Sequence, residues 1–423
     1  MTIAAQMRTI AKAAKAASRK LAAAEGRARQ QALLNLADLL GQHAAGIFAA
    51  NAKDIEAARK NGLDNAKLDR LTITQGVLDS MVQGCREVAA MSDPVGEIES
   101  MKKRPNGMLV GRMRVPLGVV AMIFESRPNA AVDAAVLCIK SGNAAILRGG
   151  SEAFHSIKAL AKVIHEALEA AGLPKGCVQV PPTTDREAVS ALLKLDEYID
   201  VVIPRGGEGL IRAVVEQASM PVLKHYKGVC HTFVDQSADL DRAVAIIHNA
   251  KVQRPGTCNA LECLLVHQAV ARKLLPKIAK KLGPAGVQFR CCKASLAIMG
   301  PLLGPKAVAA TKADWGCEFL SLTLAVKVVA DLDEALEHIA QHGSNHTEAI
   351  LTESHVNAMR FTREADASMV AVNASTRLND GGELGLGAEV GISTTKLHAY
   401  GPMGVRELTS AKFVVLGQGQ IRQ

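Results

Sequence analysis

The chain has 423 residues, 48% of them apolar and 22% charged. That is enough to bury a large core in two or three domains and argues against long disorder. The formal charge is +9, aromatics make up 3%, Trp315 is the only tryptophan, and no arginine-rich tract or zinc spacing occurs. This argues against nucleic acid as partner and suits a small anionic substrate with a phosphorylated cofactor.

Residues 1–30 set seven Lys and Arg against Glu25 alone. They read as a first helix with a solvated basic face, because Ile3, Met7, Ile10 and Ala14 recur at helical spacing; a transit peptide is the competing reading. Residues 27–60 continue as helices, with Asn51 and Asp54 suggesting a cap. Residues 93–96 (Asp-Pro-Val-Gly) form a turn, and 108–115 alternates weakly, like a hairpin arm. From residue 117 a strand–helix rhythm begins, with strands expected at 117–124, 144–147, 178–180 and 199–203. A second block starts at 231, with strands at 231–234, 261–266 and 322–329. This pitch predicts parallel sheets covered on both faces. The last 54 residues are glycine-rich. The longest apolar run near the first strand, 117–124, is too short to cross a bilayer. Nine scattered cysteines with no secretory signal point to a reducing cytoplasm. The pair Cys291-Cys292 lacks partners at metal-ligand spacing, so no metal is expected.

The stretch 252–262, Val-Gln-Arg-Pro-Gly-Thr-Cys-Asn-Ala-Leu-Glu, joins a helix to a strand. Pro255 and Gly256 break the helix and leave Cys258 at the tip of a short turn on rigid supports, where a nucleophilic thiol belongs. Cys263 competes for that role but lies inside an apolar strand. Two strand-to-helix turns, Arg148-Gly149-Gly150-Ser151 and Arg205-Gly206-Gly207, allow backbone N–H groups to approach an anion. Arg148 stands where an arginine meets a ribose 2′-phosphate in NADP sites. Asn129, after the first strand, is placed either to donate to an oxyanion or to cap the next helix. Arg127, Lys140 and Arg377 are candidates for the substrate's phosphate or carboxylate, against surface ion pairs as the plain alternative.

These motifs resemble the gamma-glutamyl phosphate reductase family of the aldehyde dehydrogenase superfamily. The matching pieces run almost end to end: Val115-Pro-Leu-Gly118, Arg127-Pro-Asn129, residues 137–143 (Leu-Cys-Ile-Lys-Ser-Gly-Asn), 146–152 (Ile-Leu-Arg-Gly-Gly-Ser-Glu), 203–207, 253–259, 372–377, Asp380-Gly-Gly382, 385–389 and Gly401-Pro-Met-Gly404. The resemblance implies an α/β, aldehyde dehydrogenase-like fold. A Rossmann-like cofactor domain would span 1–225, with a hairpin near 105–116 for oligomerisation. A catalytic domain would span 226–365, and 366–423 would return to the cofactor domain and a small oligomerisation segment. It also implies NADPH-dependent reduction of L-glutamyl 5-phosphate in proline biosynthesis, a homo-oligomer (dimer or tetramer) and a separate glutamate kinase to make the substrate. By position Cys258 matches the nucleophile, Asn129 the oxyanion amide, Arg148 a basic contact to the adenosine ribose and Glu318 the glutamate that holds the nicotinamide ribose. Two positions depart from the pattern: Tyr400 stands in place of an arginine, and Leu378 in place of a phenylalanine.

Residues 222–231 hold no carboxylate where hydrolytic aldehyde dehydrogenases keep a water-activating glutamate. Water should therefore attack a thioester slowly, although His225 or His231 could substitute as base. A hydrolytic dehydrogenase and a non-catalytic scaffold remain as alternatives.

Overall fold

The computed structural model describes residues 1–125 and 127–422. They form two compact units. One holds residues 1–224, 385–391 and 403–423, and the other holds 225–384 and 392–402.

The first unit is built on a four-stranded parallel sheet in the order Val178–Gln179, Ala144–Arg148, Val119–Phe124, Val201–Arg205. Every residue of Val119–Phe124 is buried, as a strand covered on both faces requires. The basic amino-terminal segment is the helix Ile3–Ala23, capped by the Thr2 hydroxyl. Met7, Ala11 and Ala14 pack on Val119, Ala121 and Ala144 of the sheet, and Lys15 reaches Asp200 at 2.7 Å. A separate antiparallel sheet joins Ile98–Lys103 to Leu109–Pro116 and then to Thr409–Leu416. Phe413, Val415 and Leu416 stay exposed on it.

The Asn51–Asp54 signal is correct in chemistry and wrong in address. Both residues lie inside the helix Ala44–Lys60 and are buried. Asp54 accepts from the backbone N–H groups of His155 and Ser156 (3.1 and 2.7 Å) and from the Ser156 hydroxyl (2.6 Å). It therefore satisfies orphan donors at the start of another helix, Phe154–Ala170. Asn51 bridges the Leu71 carbonyl and the Ile73 N–H.

The second unit carries a seven-stranded, all-parallel sheet. Its order is Ala307–Ala309, Gln288–Cys291, Thr323–Val329, Leu261–His267, Cys230–Val234, Thr347–Leu351, Met369–Val372. Leu261–His267 is buried throughout at its centre. The helix Leu240–Val252 ends as Pro255-Gly256 demands, so residues 253–260 form a loop between that helix and the central strand.

Asp54→Ala strands three donors, two of them on the buried Ser156. Destabilisation of about 2–4 kcal/mol is expected, read as a lower urea midpoint at unchanged slope.

Candidate active site

The loop 253–260 is held from several sides by its own unit. At its ends, Lys251 and Glu262, both fully buried, pair at 2.5 Å. The other Glu262 oxygen accepts the Leu320 N–H at 3.1 Å. Asn259 is buried and donates to the Asn379 carbonyl at 2.9 Å, and its own amide oxygen takes the Arg377 guanidinium. Arg377 also donates to Gln253 at 2.9 Å, so it grips both sides of the turn. Beneath the loop, a Cβ on Gly228 would lie 1.8 Å from the Cys258 carbonyl oxygen. Only glycine allows that approach. The Gly228 N–H donates to Glu318 Oε1 at 2.8 Å.

The Cys258 thiol, partly exposed, sits in a cluster with His225 and His346 whose ligand atoms all lie within 4.8 Å of one another. His225 donates from Nδ1 to the Ile392 carbonyl at 2.8 Å, which fixes its ring. His346 is fully buried, with Nδ1 on the Thr347 hydroxyl at 2.7 Å and Nε2 lacking any other hydrogen-bond partner. The two rings meet edge-on, 5.2 Å between centroids. Burial by itself would push the Cys258 thiol up, but His346 and then His225 outweigh it and hold the thiol well below its usual range. Elsewhere burial dominates: Cys85, Cys138 and Cys177 are pushed up to about 12, and Cys230, whose thiol donates to the Cys258 carbonyl at 3.1 Å, is likewise raised well above the usual thiol range. Cys292 is also lowered against its burial, by hydrogen bonds from Ser295 and Val328 at a helix start. A thiolate flanked by two imidazoles is a prepared nucleophile, and its N, N, S donor set would also accept a soft cation.

Of the residues singled out in the sequence, the structure brings Cys258, His225 and Glu318 together, places His231 on Glu348 instead, and adds His346, Cys230 and Gly228 around the thiol. His346 follows the residues Gly343-Ser344-Asn345, with Asn345 at φ 58°, directly before the strand Thr347–Leu351. That turn-then-strand setting was the available signal. Tyr400 donates to Asp366 at 3.1 Å, and Leu378 is 40% exposed.

The remaining candidates lie in the first unit. Asn129 is the first residue of the helix Asn129–Lys140, with Pro128 at the cap position, so it does not cap that helix. Its amide approaches Asp133 at 3.4 Å. Asp133 is desolvated enough to be pushed up to about 6 despite the nearby Arg205 and Arg127. Ser126, between Glu125 and Arg127, lies outside the described residues. Lys140 is buried and donates to the Ala89 carbonyl at 2.9 Å, a structural contact within its unit. Both glycine turns are tight as expected. A Cβ on Gly149 would meet Ile157 at 2.1 Å and one on Gly206 the Glu125 carboxyl at 2.7 Å. Each turn also has an acid against it. Glu152 crowds Gly150, and Glu125 accepts the Gly207 N–H at 3.1 Å. Arg148 is spent on backbone carbonyls, including Thr184 at 2.9 Å, and Arg205 faces Glu389 at 3.9 Å. Ser151 opens a short 3₁₀ turn. Carboxylates at Rossmann-type turns suit ribose hydroxyls, so these residues fit a nucleotide at its sugar more directly than at an open phosphate cradle. A cavity of about 720 Å³ in this unit runs from Phe154 to Pro181 and carries Lys53, Lys158 and Lys162.

The aldehyde dehydrogenase family model matches residues 2–313. The gamma-glutamyl phosphate reductase of Solidesulfovibrio magneticus is 63% identical over 422 residues, covering 100% of both chains. That of Maridesulfovibrio salexigens is 62% identical over 98% of each. The chain belongs to the aldehyde dehydrogenase family, in its gamma-glutamyl phosphate reductase branch. The crystal structure of the Thermotoga maritima gamma-glutamyl phosphate reductase superposes with a TM-score of 0.94 at 45% identity, covering 99% of this chain and 100% of that one. An acetylating aldehyde dehydrogenase of Geobacillus thermoglucosidasius, 20% identical over 100% of this chain and 98% of that one with a TM-score of 0.72, shares the family fold. No helix among the described residues of this family member is long and apolar enough to cross a membrane.

Alkylation of Cys258 by iodoacetamide should have a pH midpoint well below that of a free thiol. In His346→Gln the midpoint should rise, because burial then acts with less opposition. Gly228→Ala displaces the Cys258 backbone and should lower turnover by roughly 10²-fold, measured as kcat in a folded variant.

Proposed function

We propose that this enzyme reduces L-glutamyl 5-phosphate to L-glutamate 5-semialdehyde with NADPH and releases phosphate, the second step of proline biosynthesis from glutamate. The observation that carries the reading is the Cys258 thiol held between His225 and His346, in a chain whose relatives bear that activity in their names.

The chemistry follows from the side chains. Cys258, already favoured as thiolate, attacks the acyl carbonyl, and phosphate leaves with the C–O bonding pair to give a thioester. Phosphate needs little help from an acid, so orientation and oxyanion stabilisation matter more. An unperturbed thiol is roughly 10% ionised near pH 7.5, and full ionisation gains only about tenfold. One oxyanion donor is worth ~10²–10³. We assign that task to the Cys258 backbone N–H. When bound, a reduced nicotinamide would supply the hydride that takes the thioester to the aldehyde level, and cleavage of the C–S bond would return the Cys258 thiolate. Water is disfavoured as the acceptor because residues 222–231 hold no carboxylate to serve as its base, and Glu318, which accepts the Gly228 N–H, is assigned to the nicotinamide ribose. Arg377, beside Cys258 and half-buried, is the candidate for an anionic group of the substrate, with Arg127 as the second. The lysine-bearing cavity supports a phosphorylated nucleotide. The exposed apolar side chains of the sheet containing Thr409–Leu416 support a homo-oligomer built through it.

The test is the reverse reaction, NADP⁺ reduction by glutamate 5-semialdehyde. Rate should depend on added phosphate and fall at least about 10³-fold in Cys258→Ala. Activity surviving in that variant would rule out the covalent route, and activity indifferent to phosphate would favour a hydrolytic dehydrogenase. Lys158→Glu should raise the KM for NADPH more than that for NADH.

A further inference from the structure

A second group of nitrogen and sulfur ligands lies in the second unit, distinct from the Cys258 cluster. Strand register places Glu348, His231 and Cys263 side by side on three neighbouring strands, so their side chains share one face of the sheet. Apart from Lys327, the rest of that face is apolar, with Phe233, Leu265, Ala325 and Ile350 on the strands and Phe361 packed on them from the helix His355–Glu364. The helix Leu332–His342 covers it and points His338 at Cys263, Nε2 to Sγ 3.7 Å. Ligand atoms of His231, Cys263 and His338 all lie within 4.8 Å of one another, and all three residues are buried. His231 is fully buried with Nδ1 on Glu348 at 3.0 Å, and its other ring nitrogen is left with only the Cys263 sulfur as neighbour. A thiol is a weak hydrogen-bond partner for a buried ring nitrogen, so two imidazoles turned on one sulfur are poorly satisfied by packing alone.

We propose that His231, Cys263 and His338 form a buried site for a thiophilic divalent cation, zinc being the natural occupant. Two imidazoles and a thiolate are a zinc donor set. Tetrahedral ligand bonds of about 2.0–2.3 Å place donor atoms about 3.5 Å apart, a distance these side chains reach by small torsional adjustment. Glu348 on the far nitrogen of His231 is the carboxylate–histidine arrangement that orients a metal-binding imidazole. Charge balances: zinc enters as the Cys263 proton and any proton on His231 Nε2 leave, and the thiolate with the Glu348 carboxylate neutralises the ion. Lys327 faces His338 Nδ1 at 3.4 Å and Glu334 at 3.0 Å. With a cation on Nε2, Nδ1 carries the proton and Lys327 stays with Glu334. His342, half-buried and tilted against His338 at 4.6 Å, and Trp315, edge-on at 5.6 Å, complete the surroundings.

The active-site cluster can also take a soft cation, so the experiment starts from Cys258→Ala. Chelator-treated Cys258→Ala protein is titrated with Co²⁺ and then with Zn²⁺. One Co²⁺ per chain should bind, with a sulfur-to-cobalt charge-transfer band and intense visible bands of tetrahedral geometry, and Zn²⁺ should bleach both. Adding Cys263→Ala should abolish the charge-transfer band. Adding His231→Gln should weaken binding by at least about tenfold. Zinc-edge X-ray absorption on Cys258→Ala itself requires no further variant and should report one sulfur and two or more nitrogens. No band in Cys258→Ala, a band that survives Cys263→Ala, or a zinc shell without sulfur would each overturn the assignment.

Discussion

The loop that carries Cys258 keeps its shape because a lysine and a glutamate are sealed together where it begins and ends. Burial makes each charge unfavourable on its own. Desolvation depresses Lys251 and pushes Glu262 up to about 7, and each opposes that tendency in the other. Removing one partner from such a pair typically costs about 3–5 kcal/mol, while replacing both with apolar groups is often neutral. The pair is therefore better understood as fixing geometry than as adding stability. It sets the helix end at Val252 and the strand start at Leu261 at one spacing, and through Leu320 it also positions the segment bearing Glu318.

On that frame the thiol is tuned by competition. The loop is buried enough to hold Cys258 in one orientation, and that burial acts against ionisation. Two imidazoles, each oriented by a hydrogen bond on its other nitrogen, reverse the balance. The closeness that makes this possible depends on Gly228, where the chain passes almost against the Cys258 backbone.

Local rules made the architecture readable in the sequence. Strand–helix alternation marked both parallel sheets, and Pro255-Gly256 marked the end of the helix before Cys258. What stayed hidden was set by contacts between distant residues. Strand order is one such case, since nothing between residues 261 and 329 says that Leu261–His267 is central. Asp54 is another: its carboxylate reads as a local cap and serves a helix about a hundred positions away. Arg148 was expected to face a phosphate, but it lies within reach of the Thr184 and Asp185 carbonyls, which no pattern around residue 148 encodes. His346 had a local turn-then-strand signal, but its pairing with Cys258 spans 88 positions and no local pattern encodes it.

The strand Thr409–Leu416 bears on how the chain folds as it is made. It completes a sheet begun near residue 98, and Ala411 meets Arg112 across 299 positions. Asn143 likewise waits for the Leu408 carbonyl. The second unit's seven-stranded sheet lies wholly within residues 230–372. At about 5–20 residues per second of synthesis, that inner sheet has all its strands some seconds before the outer unit can close. The nascent protein thus matures from the inside of its sequence outward, with an unpaired edge at Leu109–Pro116 until the ribosome delivers its final strand.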